Sequence, residues 1–159
     1  MTTDNYISIL IQDLKKKNQV LSAIMLANQK QKDSLMDPNL DPDDFDKLVE
    51  EKGKMIEQLE QLDDGFEQIF SKVKEELREH KENYRDEILE MQNLIRQLTD
   101  KSASIQAEEQ RNKNLMQQKF TEVKKQVREI RSSQKVVNQY YRNMMKTNYI
   151  DPQFLDNKK

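Results

Sequence analysis

The chain has 159 residues, of which 35% are hydrophobic and 35% are charged, with two glycines, three prolines and no cysteine. This length favours a single domain, and few helix breakers among many Glu, Lys, Gln and Leu residues favour long helices over sheets. The lack of cysteine excludes disulfides, cysteine-ligated zinc and thiol nucleophiles. No long apolar run and no secretory signal pattern is present, so we expect a cytoplasmic protein without membrane insertion.

The net charge of −2 is unevenly distributed along the chain. Residues 37–70 contain 12 acids and three bases, whereas residues 111–146 contain ten bases and two acids. One interpretation is that the two segments belong to helices of the same bundle and attract each other. The other is a basic face that binds an acidic partner. We favour the first, because a hairpin of these segments would bring them together in any case.

The first predicted helix extends from about Asp4, its expected N-cap, to about Met36. Its apolar residues recur at near-heptad spacing, which is typical of a helix that packs along one face. Polar side chains interrupt this apolar face at Lys17, Asn28 and Gln31. The first helix is therefore predicted to pack against a neighbour through a narrow apolar seam.

The second predicted helix follows a break marked by Pro38 and Pro42, which cannot both lie inside one helix. Asp41 is the expected N-cap, with Pro42 as the first helical residue. Apolar residues then alternate in steps of three and four, and Lys52 is the one residue off this pattern. The seam consists of Phe45, Leu48, Met55, Leu59, Leu62, Phe66, Ile69 and Val73.

The third predicted helix extends from about Tyr84 to about Lys146, after a polar turn over residues 79–83 with Asn83 as N-cap. Its apolar face weakens in the middle, at Ser102, Glu109 and Asn112. At 1.5 Å per residue it would be about 90 Å long, against about 50–55 Å for each of the first two helices. Unless it bends back, its C-terminal part should therefore lack a partner in its own chain.

These patterns predict an all-α fold of three long helices, in which the first two form an antiparallel hairpin and an extended third helix lies alongside. Residues 1–146 should form one bundle domain, and residues 147–159 a flexible tail. A partner helix would complete the uncovered apolar face of the third helix. The predicted binding residues are Met116, Phe120, Val123, Val127, Ile130, Val137 and Met144.

No catalytic or cofactor-binding motif is recognisable, and we expect neither an enzyme nor a cofactor or metal site. His80 lies alone in a polar stretch and should be a solvated surface residue. Asp37, Asn39 and Asp41 match the first ligand positions of a calcium loop, but Pro42 stands where that loop requires glycine. No nucleic-acid-binding motif accompanies the basic residues, so nucleic acid is not an expected partner.

The sequence resembles the FlgN-type flagellar export chaperones, in order and over nearly its whole length. Residues 6–10 are similar to the opening helix of that family, and residues 46–66 to its second helix. The Tyr140-Tyr141 pair and the ending Phe-Leu-Asp-Asn-Lys-Lys over residues 154–159 are similar to its C-terminal portion. Asn157 departs from the family by interrupting what is often a run of lysines.

The resemblance implies a cytoplasmic bacterial protein that binds the C-terminal amphipathic helix of hook–filament junction proteins. Such a chaperone prevents premature assembly of its cargo and delivers it to the export gate of the flagellar type III secretion apparatus. Components of the export ATPase complex are further implied partners, and whether the free protein forms a homodimer stays open. Two alternatives also stay open: a coiled-coil scaffold or tether, and a chaperone for another flagellar subunit such as the filament cap.

The resemblance also implies that a C-terminal tyrosine, Tyr140 or Tyr141, contacts the export gate. Tyr141 continues the apolar face of the third helix, so it should pack against the bundle or the cargo. Tyr140 is rotated from it by about 100° and should be the more exposed of the two. Tyr140 is therefore our candidate for the gate contact.

Overall fold

The computed structural model describes residues 2–119 and 135–142, which contain helices and no strand. Helix α1 comprises Thr3–Met36, α2 comprises Pro42–Glu79 and α3 comprises Arg85–Lys119. A short 3-10 helix, Lys81–Tyr84, joins α2 to α3, and residues 135–142 form a further helical segment, α4. The prediction of an all-α fold is confirmed, and none of the described helices is long and apolar enough to cross a membrane.

The first helix begins two residues earlier than predicted. Thr2 has extended backbone geometry and is the N-cap, because its hydroxyl accepts a hydrogen bond from the backbone N–H of Asn5 at 3.2 Å. Asp4 instead lies in the first turn, where the helix dipole favours a negative charge. The prediction of Asp4 as the cap is therefore wrong, whereas the predicted end of α1 at Met36 is confirmed.

The break between α1 and α2 is held by two aspartate side chains. Asp37 Oδ1 accepts a hydrogen bond from the backbone N–H of Asn39 at 2.9 Å. Asp41 Oδ1 accepts one from the backbone N–H of Asp43 at 3.0 Å, which caps α2. Pro42 is the first residue of α2, where the amide hydrogen that proline lacks has no helical partner to lose. Both predictions for the start of α2 are confirmed.

The predicted polar turn lies between α2 and α3, but its cap differs from the prediction. His80 ends α2 with φ −125° and ψ 46°, outside the helical region. Asn83 lies inside the 3-10 helix, where its backbone N–H donates to the carbonyl of His80 at 3.0 Å. Asn83 is therefore not the N-cap of α3, because the tighter helix already satisfies the backbone there.

Helix α1 is the centre of the bundle and packs along both α2 and α3. It is antiparallel to α2, and it is parallel to α3. Asn28 near the end of α1 receives a hydrogen bond on its carbonyl from Asn112 near the end of α3, at 3.0 Å. The Cα atoms of α2 and α3 do not approach within 8 Å of each other, so these two helices meet through side chains.

The C-terminal segment α4 lies back against the bundle. A straight third helix would place Tyr140 about 30 Å beyond Lys119. Lys119 Nζ instead donates to the carbonyl of Asp37 at 2.6 Å, and Tyr140 Oη donates to Asp63 Oδ2 at 2.9 Å, halfway along α2. The prediction of an extended third helix is therefore wrong, because packing α4 on the bundle removes its apolar face from water.

The apolar core runs the length of the bundle, and a small second cluster of Leu35, Phe45 and Met116 closes the end near the α1–α2 loop. The buried face of α2 is rotated slightly from the predicted seam. Leu48, Met55 and Leu62 are partly exposed, whereas Lys52, which the apolar pattern excluded, is 2% exposed. The buried residues of α2 are Phe45, Lys52, Ile56, Leu59, Phe66, Phe70, Val73 and Leu77.

Replacement of the α2 cap should weaken the fold measurably. Asp41→Ala removes the hydrogen bond to the Asp43 N–H, and we expect a loss of about 1 kcal/mol in the free energy of unfolding. Glu57→Ala is the control, since it removes an exposed carboxylate from the interior of the same helix. Urea denaturation followed by circular dichroism compares the two, and equal losses would contradict the assigned cap.

Candidate functional site

The polar residues that interrupt the predicted apolar faces meet inside the bundle. Asn28 and Gln31 of α1, Lys52 of α2, and Glu109 and Asn112 of α3 are all at most 2% exposed. We call these five residues the polar layer. Its position explains why three separate apolar patterns are interrupted, because each helix contributes its polar residues to one shared level of the bundle.

A hydrogen-bond network joins the three helices at this layer. Lys52 Nζ forms an ion pair with Glu109 and donates to Gln31 Oε1 at 2.8 Å. Asn112 Nδ2 donates to the carbonyl of Asn28 at 3.0 Å and to Gln31 Oε1 at 3.3 Å. The Lys52–Glu109 pair thus connects α2 to α3, whose backbones do not approach each other.

Burial acts on the protonation of both charged members of the layer. It lowers the pKa of the Lys52 amine, and the attraction of Glu109 opposes that shift. It raises the pKa of the Glu109 carboxyl, which the nearby Lys52 in turn opposes. The pair therefore adds little net stability, but either partner left alone would be a buried charge without a counter-charge.

A second polar contact connects α1, α2 and α4. Lys17 of α1 is 4% exposed and pairs with Asp63 of α2. Burial lowers the pKa of the Lys17 amine, and the attraction of Asp63 opposes this shift. The same carboxylate accepts the hydrogen bond from Tyr140 Oη of α4. Asp63 is therefore held on one side by a cation and offers its other oxygen to α4.

The two tyrosines of α4 differ in burial in the order predicted from the helical rotation. Tyr141 is fully buried and belongs to the main apolar core, whereas Tyr140 is partly exposed at its edge. Their rings lie edge to face, with centroids 5.4 Å apart. Within the described residues Tyr141 Oη has no hydrogen-bond partner. Burial raises its pKa, and the charges of Glu109 and Glu108 raise it further.

Two of the predicted cargo-binding residues lie in the described part of the chain, and both are buried by other residues of the same chain. Met116 is 0% exposed in the cluster with Leu35 and Phe45, and Val137 is 6% exposed in the main core. The others, Phe120, Val123, Val127, Ile130 and Met144, lie outside the described residues, as does the predicted tail over residues 147–159.

The sequence matches the protein family described as FlgN protein over residues 1–148. The chain belongs to the FlgN family. This is a family of flagellar export chaperones, and the resemblance inferred from the sequence is confirmed. No curated protein and no solved structure matches the chain.

Sequence reasoning did not single out Asp63, which turns out to connect three helices of this FlgN bundle. The sequence does contain a signal at the other end of the contact, because Lys17 interrupts an apolar face and so requires an acidic partner. Which acid this would be depends on the packing register of α1 and α2.

His80, predicted at the surface, is half exposed, and its Nδ1 lies 3.2 Å from Oε1 of Glu76. The part of the chain that the structure describes contains no group of three or more acidic or histidine side chains able to hold a metal ion.

The polar layer generates a prediction for the stability of this FlgN protein. Lys52→Met leaves Glu109 buried without its counter-charge, and we expect a loss of about 3–5 kcal/mol at neutral pH. Stability of this variant should fall as pH rises above about 4.3, because burial raises the pKa of Glu109, so the folded state retains a proton that the unfolded state has released. Urea denaturation at several pH values measures both effects.

The double variant Lys52→Met/Glu109→Met is the decisive comparison, because it replaces both charges with apolar side chains. We expect its stability to be within about 1 kcal/mol of the parent protein or higher. The exposed pair Lys15–Glu90 is the control, and Lys15→Ala should cost less than about 1 kcal/mol. A double variant as unstable as the single one would contradict the assigned ion pair.

Proposed function

We propose that this FlgN-family protein is a cytoplasmic bacterial chaperone that binds the C-terminal amphipathic helix of hook–filament junction proteins. It keeps the cargo from assembling prematurely and delivers it to the export gate, in contact with components of the export ATPase complex. The observation that carries the proposal is the family match over residues 1–148 of a chain whose described elements are all helices. Binding of this kind requires an apolar helical surface and needs no catalytic group.

The amphipathic segment α4 supports a helix-binding site at the C-terminal end of the chain. Val137 is buried against the bundle, whereas its neighbour Val136 is 63% exposed. The proposed cargo-binding residues are Met116, Phe120, Val123, Val127, Ile130, Val137 and Met144. An apolar face such as that of α4 can be covered by its own bundle or by a cargo helix, but not by both. Cargo binding there exchanges one apolar contact for a similar one, so little hydrophobic free energy is lost.

The return of α4 to the bundle counts against the alternative of a coiled-coil tether. A tether needs a long helix with a face left open for a second chain. Within the described residues, the end of α3 and the segment α4 instead contact their own chain, through Lys119 and through Tyr140. The other alternative, a chaperone for the filament cap, differs in cargo and not in architecture. Parallel titrations with junction-protein and cap-protein C-terminal peptides separate these two cargoes.

Charges introduced into the proposed cargo-binding face should abolish binding. Val127→Asp/Ile130→Asp, at positions outside the described residues, would place two carboxylates against an apolar cargo helix, at a cost on the order of several kcal/mol. We expect the affinity for a junction-protein C-terminal peptide to fall by orders of magnitude in titration calorimetry, with unchanged helix content.

Val136→Asp is the matched control for this experiment, because it adds a carboxylate at an exposed position of α4. It should bind the peptide as the parent protein does. Unchanged binding by the Val127→Asp/Ile130→Asp variant would place the cargo site elsewhere. Unfolding of that variant would assign both residues to the core of the free protein.

We further propose that Tyr140 contacts the export gate and that Tyr141 has a packing role. The partly exposed ring of Tyr140 and the complete burial of Tyr141 support this division. With cargo bound, Tyr140→Ala should lose binding to the cytoplasmic domain of the gate in surface plasmon resonance. Tyr141→Ala should lower the melting temperature more, because it leaves a cavity in the core. Normal gate binding by Tyr140→Ala, or a greater loss of stability in that variant, would refute the assignment.

A further inference from the structure

The two neighbouring tyrosine hydroxyls of α4 have opposite environments. Tyr140 Oη donates a hydrogen bond of 2.9 Å to a carboxylate oxygen of Asp63. Tyr141 Oη is buried, and within the described residues nothing accepts or donates a hydrogen bond to it. The contrast matters because both side chains belong to the same helical segment, which packs or leaves as a unit.

The Tyr140 hydroxyl stabilises the packed position of α4. Its acceptor is ionised and fixed by the buried Lys17, and hydrogen bonds to charged groups contribute more than neutral ones. If α4 leaves the bundle, Asp63 keeps its ion pair with Lys17 and is not left as an unpaired buried charge. The hydrogen bond is therefore an attachment that the remaining bundle can lose without further rearrangement.

The Tyr141 hydroxyl acts against the packed position. Packing removes it from water and gives it no partner in return, which costs free energy. The negative charges of Glu109 and Glu108 act on this hydroxyl, and the first of these is already engaged with Lys52. Release of α4 would return this hydroxyl to water, whereas the ring of Tyr141 favours burial in the core.

We infer that these two hydroxyls set, in opposite directions, the equilibrium between α4 packed on the bundle and α4 available to another helix. Tyr140 holds the segment and the Tyr141 hydroxyl loosens it. The consequence for cargo rests on the proposed function, whereas the effect on α4 packing does not. The apparent affinity for a cargo helix scales with the fraction of molecules in which α4 is free, so each hydroxyl also sets that affinity.

Removal of one hydroxyl at a time tests the inference while both rings are kept. In Tyr140→Phe, amide hydrogen exchange within α4 should become faster by about tenfold, and the dissociation constant for a junction-protein C-terminal peptide should fall by a similar factor. In Tyr141→Phe, exchange should slow by about fivefold or more, and the peptide should bind correspondingly more weakly. Exchange mass spectrometry and titration calorimetry on the full chain measure these changes.

Tyr84→Phe is the matched control, because Tyr84 Oη donates to Glu76 at 3.1 Å at a site that does not involve α4. It should leave both α4 exchange and peptide affinity unchanged. Shifts of α4 exchange in the same direction in both test variants, or an equal shift in the control, would overturn the inference. Opposite shifts in exchange with the same peptide affinity in all variants would overturn the link between α4 packing and cargo affinity, and in that case the proposed function would stand.

The cargo assignment can also be wrong while the inference about α4 packing is right. If α4 exchange shifts as expected while neither the parent protein nor any variant binds the peptide, the cargo assignment is wrong. The opposing roles of the hydroxyls in α4 packing are then supported. Exchange is measured without any peptide present, so it reports on α4 whatever the cargo is.

Discussion

The ion pair between Lys52 and Glu109 is the contact on which the arrangement of the helices depends. Helix α1 packs along both α2 and α3, but the backbones of α2 and α3 stay apart. The pair spans this gap from opposite sides and is completed by hydrogen bonds to α1. Tyr140 of α4 binds Asp63 on α2, and Tyr141 belongs to the same core cluster as Ile105 of α3. The fixed distance between α2 and α3 therefore also defines the place where α4 packs.

A polar layer inside a narrow bundle has a cost and a consequence. Burial lowers the pKa of Lys52 and raises the pKa of Glu109, and so favours the neutral form of each. The layer therefore adds little to the free energy of folding. Sliding one helix along another would, however, separate these partners and leave buried charges alone. The layer therefore acts against other packing registers, which long helices with similar apolar repeats would otherwise permit. The bundle thus keeps one register, and α4 packs against it through the buried Val137 and Tyr141.

Much of the local structure follows from the sequence, because caps and breakers act over a few residues. Asp41 and Pro42 mark the start of α2, and the interruptions at Lys17 and Lys52 identify residues that need buried partners. Their partners depend on how the helices are aligned, which periodicity within one helix does not contain. The return of α4 was missed for a related reason. No glycine or proline occurs between residues 85 and 146, so nothing in the sequence marked a change of direction there.

The geometry of α4 places two proposed contacts on one segment of the chain. Val137 and Tyr141 share the buried face, four residues apart, and Tyr140 lies about 100° around the helix from Tyr141. In the packed position the core covers the first face, and Asp63 holds the hydroxyl on the second. Residues 135–142 form one helical segment, which cannot release one face and keep the other in place. A cargo helix that takes over the face of Val137 and Tyr141 must therefore also break the bond between Tyr140 and Asp63, and the side chain proposed to meet the export gate becomes free in the same step.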